Sequence, residues 1–249
     1  MRIVFLTTED PLYLPTFFET VLDQVASQTL AVYAVPPLDR KETSWMAARK
    51  YYRTFGASAF IGLAGRVLGA KLRGRSIQNV CRNRQIPYAT VADVNAPGFL
   101  EYLHSLRPDV LVSASCPQLF KGPLIALPPR GILNIHGAIL PHYRGVMPSF
   151  WMLANAEKKA GVSIYFVNEA IDAGDLCAQR IFDIAPRESL DAFLRRSKGI
   201  AAELLLEVLA EMNRGEVCRR PLNLAEGSYF SWPDRNAVDR FYAAGRSVW

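Results

Sequence analysis

The 249 residues hold three histidines, and two of them, His136 and His142, flank a loop that begins at Asn134 and closes at Gly145. Asn134 and His136 are two positions apart, so on a strand their side chains share a face, an amide donor beside an imidazole. Polar groups closing an apolar strand cost free energy unless they are paired. A hydrogen-bonded cap would account for either residue alone. Downstream, Asn168-Glu169-Ala170-Ile171-Asp172-Ala173-Gly174-Asp175 has the composition of a tight turn, and either aspartate by itself reads as a turn former. Together, an amide donor, an imidazole and a carboxylate on loops at one end of a sheet meet the needs of acyl transfer. Such chemistry needs donors for an oxyanion, a group that exchanges protons near neutrality, and a carboxylate to orient and charge-balance it.

The elements around these residues read as an α/β fold. Arg2–Thr8 and Leu30–Val35 are short β-branched runs, and Pro15–Ser27 between them has helical periodicity; Pro36-Pro37 ends the second strand. Ser44–Arg84 is helical in pattern but interrupted by five glycines, which predicts two or three broken helices. A strand at Ile86–Val91 and a helix at Pro97–Ser105 follow. Asp109–Ser115 and Gly131–Ile135 are continuous apolar runs of the kind buried on both faces of a parallel sheet, with a helix expected between them at Gln118–Leu127. Gly161–Val167 and Leu176–Ile184 read as a strand pair, Leu190–Asn213 as an amphipathic helix covering the sheet, and Asn236–Ala244 as a helix in a turn-rich tail. The alternation predicts a doubly wound, mostly parallel sheet with function at the carboxyl ends of its strands.

Half the residues are hydrophobic and 21% are charged, which fits a packed domain and excludes a disordered chain. The four cysteines are scattered without a C-x-x-C pair, so neither a zinc site nor a redox motif is indicated, and a reducing compartment is favoured. The first residues make a poor signal peptide, and the reading is cytoplasmic. The net charge of +6 is concentrated: nine basic residues and no acidic ones lie between Thr43 and Ala92. Within that window Tyr51–Arg75 joins an apolar stretch to a basic end. This is the pattern of a helix in a membrane interface, peripheral at the inner membrane surface, or of a cover-layer helix with a solvated basic edge. A basic RNA-binding module is a weaker alternative, since no RNA-binding motif accompanies the charge.

From Pro108 to Ile184 the chain resembles the folate-dependent formyltransferases. The resemblance rests on Asn134-Ile135-His136, Leu140-Pro141-x-Tyr143-Arg144-Gly145, Gly161-Val162-Ser163 and Ile171-Asp172-Ala173-Gly174-Asp175. The 36-residue distance from His136 to Asp172 also matches the family's spacing. It implies a Rossmann-like formyltransferase fold, 10-formyltetrahydrofolate as co-substrate, no metal, and direct attack of a primary amine on the formyl carbon. Carried over residue by residue, Asn134 would hold the oxyanion, protonated His136 would assist it, and Asp172 would hold His136 and take the amine's proton through water. The pterin would lie against Cys116, Gln118, Leu119, Val167, Asn168, Ala170 and Ile171, although Ser115-Cys116-Pro117-Gln118 departs from the first of these loops as many members have it.

Layout points to the acceptor. A catalytic domain over 1–213 with an extension over 214–249, packing on the domain or mediating a homodimer, resembles the enzymes that formylate amino sugars. The tRNA enzymes carry a further β-barrel, so no tRNA is expected; a folate hydrolase, usually preceded by a small regulatory domain, or another amine acceptor stays as the alternative. Tyr143, Arg144, Phe150 and Trp151 are candidates to line an acceptor cleft for a small amine, phosphorylated or lipid-linked. The bland reading of Phe150 and Trp151 is the apolar face of a helix after Pro148.

Overall fold

The computed structural model describes residues 1–36 and 44–249; Pro37, read as part of the second strand's terminator, lies outside them. In chain order the elements are β1 (Ile3–Thr7), α1 (Leu14–Val25), β2 (Thr29–Ala34), α2 (Ser44–Leu72), α3 (Ile77–Asn83), β3 (Tyr88–Thr90), α4 (Pro97–Leu106), β4 (Val110–Ala114), α5 (Gly122–Ile125) and β5 (Ile132–His136). Then come β6 (Arg144–Gly145), α6 (Pro148–Ala154), β7 (Lys159–Phe166), β8 (Leu176–Asp183), α7 (Leu190–Arg214), β9 (Tyr229–Phe230) and α8 (Arg235–Ala243). Seven strands form one sheet in the order β3-β2-β1-β4-β5-β7-β8, parallel through β5 and antiparallel at β7 and β8. The chain leaves β1 toward β2 on one side and returns to β4 on the other, which makes the β1/β4 boundary a topological switch point.

Both faces of the sheet are covered, which is why its strands read as unbroken apolar runs. Ile3, Phe5, Val110, Val112 and Leu133 pack under α1 and α7, while Val4, Leu6, Leu111 and Ile132 pack with Leu103 and Phe99 of α4 on the other face. α7 is long because its ends are closed: the Ser189 hydroxyl accepts from Ala192 N at 3.2 Å, and Gly215 (φ 75°) takes the left-handed turn after Arg214. A further core joins α6, α8 and the start of α7 around Phe150, Phe193 and Phe241. The small β6/β9 ribbon ties the tail to the loop after β5.

One expectation needs correction. Residues 118–127 hold only the four-residue α5, because side chains elsewhere pin the preceding segment as a loop. Gln118 accepts from Val94 N at 2.9 Å and donates to Ala92 O at 2.9 Å, and Asn95 accepts from Lys121 N at 2.8 Å. β7 runs antiparallel to β5, which puts Phe166 opposite Leu133. The loop bearing Asp172 therefore starts beside the amino-terminal half of β5 and folds back to reach the site. α2 is broken, as its glycines predict, at Gly56 (φ 85°, ψ 177°).

Candidate active site

The site is built on a polar stripe across the sheet. Ser113, Asn134 and Tyr165 are cross-strand neighbours on β4, β5 and β7, and all three face a cavity of about 720 Å³. Asn134 Nδ2 donates to Tyr165 Oη at 2.9 Å, and Tyr165 Oη donates to Asp172 Oδ1 at 2.8 Å. The other carboxylate oxygen accepts from Gly145 N at 2.8 Å and lies 3.6 Å from His136 Nδ1, while His136 Nε2 lies 2.8 Å from Tyr143 O, an oxygen that can only accept. Burial first, and then the Asp172 carboxylate, push the Tyr165 phenol well above its ordinary value. It therefore stays protonated, joining the amide donor to the carboxylate in one hydrogen-bonded chain. An asparagine amide carries two N–H donors, so Asn134 keeps one for a ligand.

The motif residues hold this geometry. Ser163, fully buried, donates to Ala138 O at 2.6 Å and accepts from Leu140 N at 3.1 Å and Gln179 Nε2 at 2.8 Å, which fixes the backbone just beyond His136. Gly161 is required because a Cβ there would stand 2.7 Å from Ile139 Cγ1 and 2.9 Å from Arg180 O. The Asp172 turn is equally tight: Asp172 itself has φ 48°, and a Cβ on Gly174 would lie 1.7 Å from Phe166 O. Gly174→Ala is expected to cost about 3 kcal/mol of stability or more, since backbone rather than a flexible side chain blocks the methyl. Urea unfolding checks this, and a variant within about 0.5 kcal/mol of wild type would show the turn to be looser than described.

Every sequence-predicted cofactor residue lines the cavity: Cys116, Gln118, Leu119, Val167, Asn168, Ala170 and Ile171. Burial holds the Cys116 thiol up at about 11, so it is neutral and offers an apolar wall. The Gln118 side chain is spent on Val94 and Ala92, which leaves its backbone as the contribution to the wall. The acceptor residues divide. Phe150 borders the cavity but is fully buried, with its ring stacked 5.1 Å from Phe241. Trp151 borders neither of the two cavities described; it is a core residue whose Nε1 donates to Ser231 O at 3.0 Å. Tyr143 stacks on Phe230, donates to Glu157 Oε1 and lines a smaller cavity of about 420 Å³ with Ile139, Met152 and Ser228. Arg144 lies outside both cavities and has a buried Nε without a partner among the described residues.

Two site residues escape the sequence reading. Tyr165 was legible in principle, because it shares the Ser163 face of β7. Lys198 projects from α7 into the cavity wall and donates to Ser115 Oγ at 2.7 Å, with no carboxylate within ion-pair distance among the described residues. Burial lowers its ammonium below the ordinary lysine value, and nearby Asp10 opposes that shift. Its signal is a lysine inside the stripe Leu194, Lys198, Ala201, Leu205, where helical spacing calls for an apolar residue.

The fold and this site define a class whose sequence pattern, that of the formyl transferase family, matches residues 65–209, more than half the chain. The protein belongs to that family. It is 34% identical over 161 residues to the methionyl-tRNA formyltransferase of Thermotoga neapolitana, a match covering 65% of this chain and 51% of that protein. The chain thus spans about half the length of the curated relatives it matches. Among solved structures, it superposes on the Helicobacter canadensis N-formyltransferase in complex with folinic acid and dTDP-3-aminofucose with a TM-score of 0.64 at 16% identity, covering 98% of this chain and 80% of that one. Glycinamide ribonucleotide transformylase 1 of Symbiobacterium toebii gives 0.63 at 18% identity, covering 90% and 94%. At these identities the superpositions speak for the fold.

Proposed function

We propose that the protein transfers a formyl group from 10-formyltetrahydrofolate to a primary amine of a small molecule, with an amino sugar as the acceptor class. The observation that carries this reading is the Asn134–Tyr165–Asp172 chain beside His136 at the wall of a cavity of about 720 Å³. That volume lies within the range of small-molecule sites, roughly 300–1,000 Å³. The seven cofactor residues would hold the folate head. The amine nitrogen attacks the formyl carbon, the new C–N bond forms, and the bond from that carbon to the folate nitrogen breaks. The free Asn134 N–H meets the oxyanion, and the Asp172 carboxylate takes the proton that the attacking nitrogen loses and passes it through water to the departing folate nitrogen, which restores the carboxylate. Both His136 nitrogens face protein oxygens, so in this geometry its first effect is on Asp172 rather than on the oxyanion.

Tyr165→Phe is expected to lower turnover roughly tenfold, the scale of a lost hydrogen bond to a charged group, while KM for folate holds. A fall in folate affinity with turnover intact would make Tyr165 a binding residue.

The fold neighbour solved in complex with dTDP-3-aminofucose supports the amino sugar. A second reading, an aminoacyl-tRNA acceptor, is favoured by the methionyl-tRNA formyltransferases that are 30–34% identical to this chain over the matched residues. Specificity constants over nucleotide-linked amino sugars, charged initiator tRNA and no acceptor separate the two. The proposal expects the highest value with an amino sugar, and a preference for tRNA would replace it.

A further inference from the structure

The segment of α2 beyond Gly56 is apolar apart from Ser58, Arg66 and Lys71, yet it touches the rest of the protein along only one side. At helical spacing Ala57, Ile61, Ala64, Gly65, Leu68 and Leu72 form a single stripe, and every one of them is exposed. Ile61 is 69% exposed, Leu68 59% and Leu72 80%. A helix that is hydrophobic all round is ordinarily enclosed by protein or lipid. Here Trp45–Asn83 is long and apolar enough to cross a membrane by length and composition, and only 17% of its most apolar stretch is buried.

Contacts on the opposite side fix how the helix lies. Trp249 Nε1 donates to Ala59 O at 3.0 Å, and its indole occupies the space that a Cβ on Gly62 would fill, 2.3 Å from Nε1. The Arg66 guanidinium sits 4.6 Å over the same ring, and Trp232 Nε1 donates to Thr54 Oγ1 at 3.0 Å. A transmembrane path would break these contacts and carry Arg66 into hydrocarbon. The helix is therefore held along the body with its apolar stripe outward.

The surrounding charge says what covers it. Lys71, Arg73 and Arg75 close the helix, Arg49 and Arg53 precede the kink, and Trp45 is 73% exposed. With no acidic residue from Thr43 to Ala92, a second copy laid face to face would set cations against cations with no carboxylate of that segment to neutralise them. An anionic lipid surface accepts both parts: hydrocarbon takes the stripe, head groups take the lysine and arginines, and an exposed tryptophan suits the interface.

We infer that the stripe from Ala57 to Leu72, flanked by basic residues, seats the protein peripherally on an anionic membrane surface. This goes beyond the proposed chemistry and stands apart from it. Flotation of the full chain with phosphatidylglycerol–phosphatidylcholine vesicles, with phosphatidylcholine alone, and at low and high salt, tests it directly. Binding to the anionic vesicles is expected to be about tenfold or more tighter than to the neutral ones and to weaken with salt. The triple variant Ile61→Ser, Leu68→Ser, Leu72→Ser is expected to lose about a hundredfold in affinity with its circular dichroism unchanged. Lys71→Gln with Arg73→Gln should remove most of the difference between the two vesicle types. Three results would overturn the inference: no binding to anionic vesicles at low salt, undiminished binding by the triple serine variant, or a dimer in light scattering that this variant abolishes.

Discussion

His136→Asn and Asp172→Asn each lower the rate of formyl transfer by about a hundredfold or more, with folding and folate affinity largely kept. The expectation follows from what each group touches. Asp172 accepts from Tyr165 Oη and Gly145 N and lies 3.6 Å from His136 Nδ1. An asparagine there tolerates the left-handed backbone (φ 48°) and keeps the side chain's shape, but it turns an NH2 toward one of two donors and gives up the charge that receives the amine's proton. His136→Asn removes the imidazole from between Tyr143 O and Asp172 while the strand around it stays anchored by Ser163. Steady-state and folate-binding measurements on both variants check this. Turnover within about threefold of wild type in either would sink the catalytic assignment.

Deleting residues 218–249 is expected to leave a chain that aggregates. Phe241 is fully buried and stacks 5.1 Å from Phe150, Trp249 and Trp232 donate into α2, and Leu190 and Asp191 donate from their backbone to Ser247 O and Val248 O. Losing one buried phenylalanine costs about 3–5 kcal/mol, a large part of a typical domain's stability, and the deletion also uncovers Phe150 and Phe193. Phe241→Leu, which keeps most of the volume, should cost about 1.5 kcal/mol or less and stay soluble. A soluble, monomeric truncated chain with an unchanged melting temperature would mean that the second core does not depend on the tail.

The strands and long helices were legible because burial on both faces leaves continuous apolar runs, and a helix packed along one side leaves a 3.6-residue period. Strand direction leaves no such mark. Nothing in Gly161–Val167 tells that β7 runs antiparallel, so the route by which Asp172 reaches His136 could not be read. The loop at 118–121 was mistaken for a helix because its conformation is set by Asn95 and by the contacts Gln118 makes with a distant backbone. Trp151 could be read as a cleft residue as readily as a core residue because α6 is buried nearly all round, and periodicity cannot pick a face on such a helix. That Asn134 and His136 lie together at one wall of a cavity was legible for the opposite reason: they are polar residues where an apolar strand has no use for them.

A single-turnover experiment shows most directly whether the formyl group reaches an amine. Enzyme in excess is mixed with 10-formyltetrahydrofolate and an amino-sugar nucleotide, and tetrahydrofolate and the sugar's mass are followed together. One CO is expected to be gained by the sugar for each tetrahydrofolate released, and both signals are expected to be lost in Asp172→Asn. Tetrahydrofolate released at the same rate with and without acceptor, and no gain of mass on any amine offered, would contradict transfer to an amine.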